Sequence, residues 1–133
     1  MNAKKQEGDL NEWLLHGSSD GTFADIYAVG FQEIVDLNAV NVLADGKTLK
    51  VSHFWEGQIM SCLASTGNKY VHIMTQSLVG VLLCVYAKES MAKYIKDVRG
   101  TTYAVGIMGI MGNKGNCFVF YCPTLLVMHG IFM

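Results

Sequence analysis

Two short stretches of the sequence hold side chains that could do chemistry. In "ADIYAVGFQEIVDL" (residues 24–37) an apolar run stops and a carboxylate, Glu33, stands at its exit. In "VGIMGIMGNKGN" (residues 105–116) glycines at 106, 109, 112 and 115 frame Asn113 and Lys114. An amide beside an ammonium could receive an anion. Each stretch also has a plainer reading. Glu33 could be a helix N-terminal acid stabilised by the dipole, and the glycines could relieve backbone crowding in a tight connection. On residue types and spacing alone, the plainer readings are favoured.

The glycine pattern excludes several familiar sites. A phosphate-binding P-loop needs Gly directly before Lys and Ser or Thr directly after, whereas Asn113 and Gly115 occupy those places. The spacing does not match a dinucleotide fingerprint, and no acid follows ~20 residues on. Glycine at every third place without proline cannot sustain a collagen helix. The four cysteines (Cys62, Cys84, Cys117, Cys122) form no CxxC pair. They are expected to be structural thiols in a reducing compartment. His53 and His72 have no acid at ligand spacing and read as structural, and His16 reads as a helix C-terminal cation. The eight methionines read as core filler.

The elements that must position these residues follow from periodicity. Asp9 and Glu12 bracket the start of a short helix with Leu10, Trp13 and Leu14 on one face, closed by Gly17. Residues 26–29 read as a short buried strand. "ADGKTLK" (residues 44–50) is polar and expected to be exposed. Trp55, Ile59, Cys62 and Leu63 fall at helical spacing, and "STGNK" ends that helix. Residues 70–74 alternate as a strand. Residues 78–87 read as one longer strand buried on both faces. Met91, Tyr94 and Ile95 suggest another short helix. Residues 101–107, 117–121 and 125–128 read as further strands. Intermixed strands and helices indicate an α/β or α+β class with packed layers.

Composition narrows the function. With 133 residues, 51% hydrophobic and 16% charged, the chain is one globular domain. A net charge of -1 carries no electrostatic footprint for nucleic acid. The longest apolar run, "SLVGVLLCVYA", is short of the ~20 residues a membrane helix needs, and "MNAKKQEGDL" lacks an apolar signal region. The expectation is a cytoplasmic chain. Lys88, Lys93, Lys96 and Arg99 form a weakly basic face, read as a solvated surface that an anionic membrane could use.

Taken together, "LNEWLL", "ADIYAVGFQEIVDLNA", "NKYVHIMTQSLVGVLLCVYAKES" and "YIKDVRGTTYAVGIMGIMGNKGN", in this order, resemble the catalytic domain of the inositol polyphosphate 5-phosphatases, the family that includes synaptojanin. The pairing of "GFQE" with "GNKG" is the specific part. The resemblance runs from about residue 10 to residue 116, with 117–133 divergent, and treats residues 1–133 as one partial domain. It implies part of the four-layer α/β sandwich of the exonuclease–endonuclease–phosphatase superfamily. It implies a Mg²⁺-dependent phosphatase removing the 5-phosphate of phosphoinositides or soluble inositol polyphosphates. Glu33 then stands where the family's acid helps hold Mg²⁺, a hard cation satisfied by one or two carboxylates with phosphate oxygens and water. Asn113 and Lys114 then become substrate-binding residues.

The sequence also departs from the family. The "WNVNG"-type strand and the "SHxAA", "GDxN" and "AWTDR"-type segments have no counterpart. Phe118, Val119, Phe120 and Tyr121 follow "GNKG" where small or β-branched residues and a basic side chain are usual, and Ile110 replaces a usual Lys or Arg. His129 does not continue the histidine motif. No residue of this chain is therefore assigned as catalytic. The expectation is a truncated or alternatively spliced product that is itself inactive, with apolar inner sheet faces left partly exposed. The partner is a phosphoinositide lipid or a soluble inositol phosphate, with peripheral contact at the cytosolic membrane face open and no nucleic acid. A non-catalytic binding or regulatory fragment is the alternative, and a nuclease of the same superfamily a distant third.

Overall fold

A computed structural model describes residues 10–15, 21–34, 45–78, 80–105, 114–122 and 126–132. The first sheet is built from β1 (Ile26–Phe31), β2 (Tyr70–Leu78) and β3 (Val81–Lys88), all antiparallel in the order β1-β3-β2. β3 is central, and its residues from Val81 to Ala87 are all buried. That explains the unbroken apolar run, since a strand covered on both faces has no solvent side to alternate toward.

One boundary differs from the sequence reading. Residues 78–87 do not form a single strand. β2 continues to Leu78, and a hairpin turn through Gly80 (φ 74) reverses the chain into β3. The apolar sequence continues across the break, and only Gly80 with its access to positive φ marks it.

The two faces of β3 serve different layers. Leu82, Cys84 and Tyr86 join Val29, Phe31, Trp55, Ile59 and Leu63 in one cluster. Trp55, Ile59 and Leu63 come from α2 (Asp45–Ala64), and the partly buried Leu10 and Leu14 from α1 (Leu10–Leu14). The expected helical spacing is realised, with Trp55, Ile59, Cys62 and Leu63 all buried. The polar stretch before it is the helix's beginning, exposed at Leu49 and Lys50. Each fully buried Leu or Ile on this face contributes roughly 2 kcal/mol of transfer free energy.

On the other face, Val81, Leu83 and Val85 meet Ile73, Met74, Leu78 and Val98. Val98 belongs to the second sheet, formed by β4 (Lys96–Val105), β5 (Lys114–Cys122) and β6 (Leu126–Phe132) in the order β4-β5-β6. The sheets touch closely at Gly100. A Cβ there would meet the side-chain ends of Gln76 and Met74, which would have to move aside. Among the described residues the layers are therefore helices, sheet, sheet. The expectation that the inner face of residues 78–87 stays partly open is overturned, because Val81, Leu83 and Val85 are only 7%, 4% and 5% exposed. The second sheet covers them. Cys62 and Cys84 are free and buried, as structural thiols are.

Candidate functional site at the exit of β1

Glu33 lies just past the last residue of β1. Phe31 pairs with Leu82 in the sheet, and the Ile34 N–H donates to the Gly80 carbonyl at 3.1 Å. The side chains around Glu33 are anchored. Phe31 is 1% exposed and stacks on Trp55 with ring centroids 4.6 Å apart, and the tilted Trp13 ring lies 6.1 Å away. Ile34 is also buried. Glu33 between them is exposed, in left-handed backbone with φ 53. An L-residue other than Gly, Asn or Asp rarely adopts that conformation, at a cost of roughly 1–2 kcal/mol. The fixed neighbours on either side hold the carboxylate at the sheet's end, and such strain concentrates at functional positions. The alternative reading of Glu33 as a helix N-terminal acid turns on residues 35–44, which lie outside the described residues.

Asn113 also lies outside the described residues. Lys114 is the first residue of β5, paired in register with Val105. Chain direction places this pair. β3 leaves the Gly80 turn and reaches Lys88 at the far end of the sheet. There α3 (Glu89–Ala92) turns the chain, and the Glu89 N–H donates to the Lys69 carbonyl at 2.9 Å. β4 starts beside that end and runs back, and its Gly100 passes Met74 and Gln76. Val105 and the Lys114 backbone are thus carried to the end of the sandwich where the Gly80 turn and Glu33 lie.

The buried titratable groups are structural. Burial pushes the Cys84 thiol up to about 11, which leaves it an inert thiol at neutral pH. Burial likewise raises the Tyr70 phenol to about 12 and pushes the Tyr86 phenol up. The Tyr70 hydroxyl donates to the Ala24 carbonyl at 2.7 Å, and Tyr86 to the Glu56 carbonyl at 3.4 Å. His53 is exposed on α2, and His72 is exposed with its Nε2 2.8 Å from Thr75 Oγ1. His16 lies outside the described residues, and His129 sits in β6 opposite Phe118.

Among the described residues, no group of three His, Cys, Asp or Glu side chains could by itself hold a metal ion. A single exposed carboxylate still suits Mg²⁺, which keeps several waters and takes phosphate oxygens alongside one or two carboxylates. Also among the described residues, no helix is long and apolar enough to cross a membrane. Sequence reasoning missed Asp97, a second left-handed residue (φ 54) at an irregularity within β4. The available signal was an acid of low β-propensity inside "IKDVRG".

The model of endonuclease/exonuclease/phosphatase family 2 matches residues 1–123. The chain belongs to this family. It is 31% identical over 115 residues to the polyphosphatidylinositol phosphatase INP53 of Saccharomyces cerevisiae, covering 86% of this chain and 10% of that protein. It is 38% identical over 91 residues to human synaptojanin-1, covering 68% of this chain and 6% of that protein. Among solved structures it is similar to the inositol polyphosphate 5-phosphatase domain of SPsynaptojanin in complex with inositol (1,4)-bisphosphate and calcium ion. That match has a TM-score of 0.69 and 32% identity, over 90% of this chain and 33% of that one. The chain thus spans a tenth or less of these curated relatives and a third of the solved domain. Its fold is that of the exonuclease–endonuclease–phosphatase superfamily, and its relatives are inositol polyphosphate and phosphoinositide 5-phosphatases.

Proposed function

We propose that this chain carries part of the site of a Mg²⁺-dependent phosphatase that removes the 5-phosphate from phosphoinositides or inositol polyphosphates. The observation that carries the reading is Glu33, an exposed carboxylate held in left-handed backbone between buried Phe31 and Ile34 in a chain of this family. Glu33 would contribute one carboxylate oxygen to the metal. When bound, Mg²⁺ would polarise phosphoryl oxygen and offset developing charge. Asn113 and Lys114 would meet substrate phosphate with an amide and an ammonium, as point contacts rather than a bidentate clamp.

The 133 residues contain no counterpart of the family's later histidine, "GDxN" or "AWTDR" segments. Catalytic groups that act as a unit lose nearly all rate when one is missing. The chain alone should therefore bind without turning over. The test is an amide NMR titration of the full chain with Mg²⁺ and then with inositol (1,4)-bisphosphate. Millimolar-range shifts at Phe31–Ile34 that vanish in Glu33→Gln are expected. Absence of those shifts, or shifts indifferent to Glu33→Gln, would remove Glu33 from the metal site. In a phosphate-release assay with a 5-phosphorylated lipid, turnover above the Glu33→Gln control would overturn the inactivity.

A further inference from the structure

The end of β1 breaks the alternation of its own strand by one residue. Val29 pairs with Cys84 and Phe31 with Leu82, and all four are buried in the helix-side cluster. In a regular strand the next residue on that face would be Glu33, standing opposite Gly80. The buried place is taken by Ile34 instead, which belongs to the same cluster at 5% exposure. The backbone agrees with this count. The Ile34 N–H donates to the Gly80 carbonyl, so Glu33 and Ile34 together answer the one residue Gly80. Two residues against one make a β-bulge, and a first bulge residue in left-handed backbone is the kind ordinarily built on glycine. Here Glu33 fills that place with φ 53.

Ile34 is fixed at two points. Its side chain lies in the helix-side cluster, and its amide is tied to the Gly80 carbonyl at 3.1 Å. Gly80 is fixed in turn. It is buried, with φ 74, between Leu78 and Val81, which pair with each other. Those two residues pack with Val98 in the cluster between the sheets. The backbone of Glu33 is thus held from the helix layer through Phe31 and Ile34, and from the inter-sheet layer through the Gly80 turn.

We propose that this bulge is the positioning device of Glu33, with Gly80 as its positioning residue. The Gly80 carbonyl, acting through the Ile34 amide, takes Glu33 out of the buried stripe and sets its backbone for a divalent cation. This role rests on the reading of Glu33 as a metal ligand. An unbroken alternation would place residue 33 on the face of Phe31 and Trp55, where a carboxylate is costly to bury. One extra residue moves the acid out of the stripe and leaves Phe31 and Ile34 in the core. Bulges beside active sites act in this way.

The test is NMR of the full chain with two readouts. Backbone couplings at Glu33 in metal-free protein report its left-handed conformation, and a Mg²⁺ titration reports affinity at Phe31–Ile34. Replacing Ile34 by its α-hydroxy acid analogue keeps the side chain and deletes the N–H alone. The left-handed couplings should be lost, and Mg²⁺ affinity should fall about fivefold, the ratio that one net hydrogen bond supports. Gly80→Ala should weaken it about tenfold. Gly80→Asn, which accepts positive φ, should bring it back to within about twofold of the parent. Gly57→Ala, at a helix glycine with open space around it, should leave both readouts unchanged. Retained couplings in the hydroxy acid variant overturn the clamp. Lost couplings with parental Mg²⁺ affinity overturn the positioning role. Deleting Glu33 restores a regular register with Ile34 beside Phe31, so the melting temperature should not fall; a lower one would mean that Glu33 is not the extra residue. A parent without Glu33-dependent Mg²⁺ shifts would overturn the metal reading and the positioning role with it. The couplings and the deletion, both read without metal, would still decide the bulge.

Discussion

β1 has an acid at each end, and the two are used differently. Asp25, before the strand, accepts from Lys88 at 2.9 Å, while its carbonyl accepts the Lys88 N–H at 2.8 Å. The same Lys88 reaches the Phe23 carbonyl, and the Tyr70 hydroxyl reaches that of Ala24. Backbone groups that would otherwise go unsatisfied are thus tied to the neighbouring strands. Glu33, after the strand, stands in left-handed backbone past the aromatic stack of Phe31 on Trp55. One end spends its polar groups on closing the sheet. The other holds Glu33, an exposed residue, in left-handed backbone at a conformational cost.

The comparison is most sharply broken at the stack. Phe31→Ala removes a buried ring that contacts Trp13 and Trp55 and should cost about 3–5 kcal/mol, read by urea denaturation. It should also abolish the Mg²⁺-dependent shifts near Glu33. A loss below about 1 kcal/mol would mean that the ring does not anchor the exit. At the other end, Lys88→Met keeps the aliphatic stem and deletes the ammonium. A loss of about 1–2 kcal/mol is expected from the hydrogen bonds it gives up, with the Glu33 signals unmoved.

Tyr70→Phe should cost about 1 kcal/mol at neutral pH, by differential calorimetry. It also has a pH signature. Burial raises the folded phenol from 10.0 to about 12. The unfolded phenol therefore loses its proton first as pH rises. Stability is whole below pH 10 and declines between about 10 and 12, and the decline should be shallower in Tyr70→Phe. An identical alkaline slope in both proteins would contradict the buried phenol. The smallest effect sharpens the contrast most. Glu33→Gly should stabilise by about 0.4–1 kcal/mol, since glycine accepts positive φ freely. Glu33→Ala should not, and Asp25→Gly should destabilise. If Glu33→Gly destabilises, the carboxylate is a structural group like Asp25.

Much of this protein follows from local pattern. The α2 core positions Trp55, Ile59, Cys62 and Leu63 follow from 3.6-residue spacing, because a helix on a sheet must bury one stripe. The unbroken run from Val81 to Ala87 announces a strand covered on both faces. The paired "GFQE" and "GNKG" stretches point to the family without any coordinates. Other features depend on partners far along the chain, which local pattern cannot encode. The Gly80 reversal inside an apolar run is visible only once β2 and β3 pair. The close approach of Gly100 to the side-chain ends of Gln76 and Met74 comes from contact with another sheet. The shared face of Lys96 and Arg99 comes from a register with β5 that inserts one residue at Asp97. Periodicity reports which face of an element is buried, whereas register, strand direction and left-handed backbone are set by long-range contacts that exist only in the folded chain.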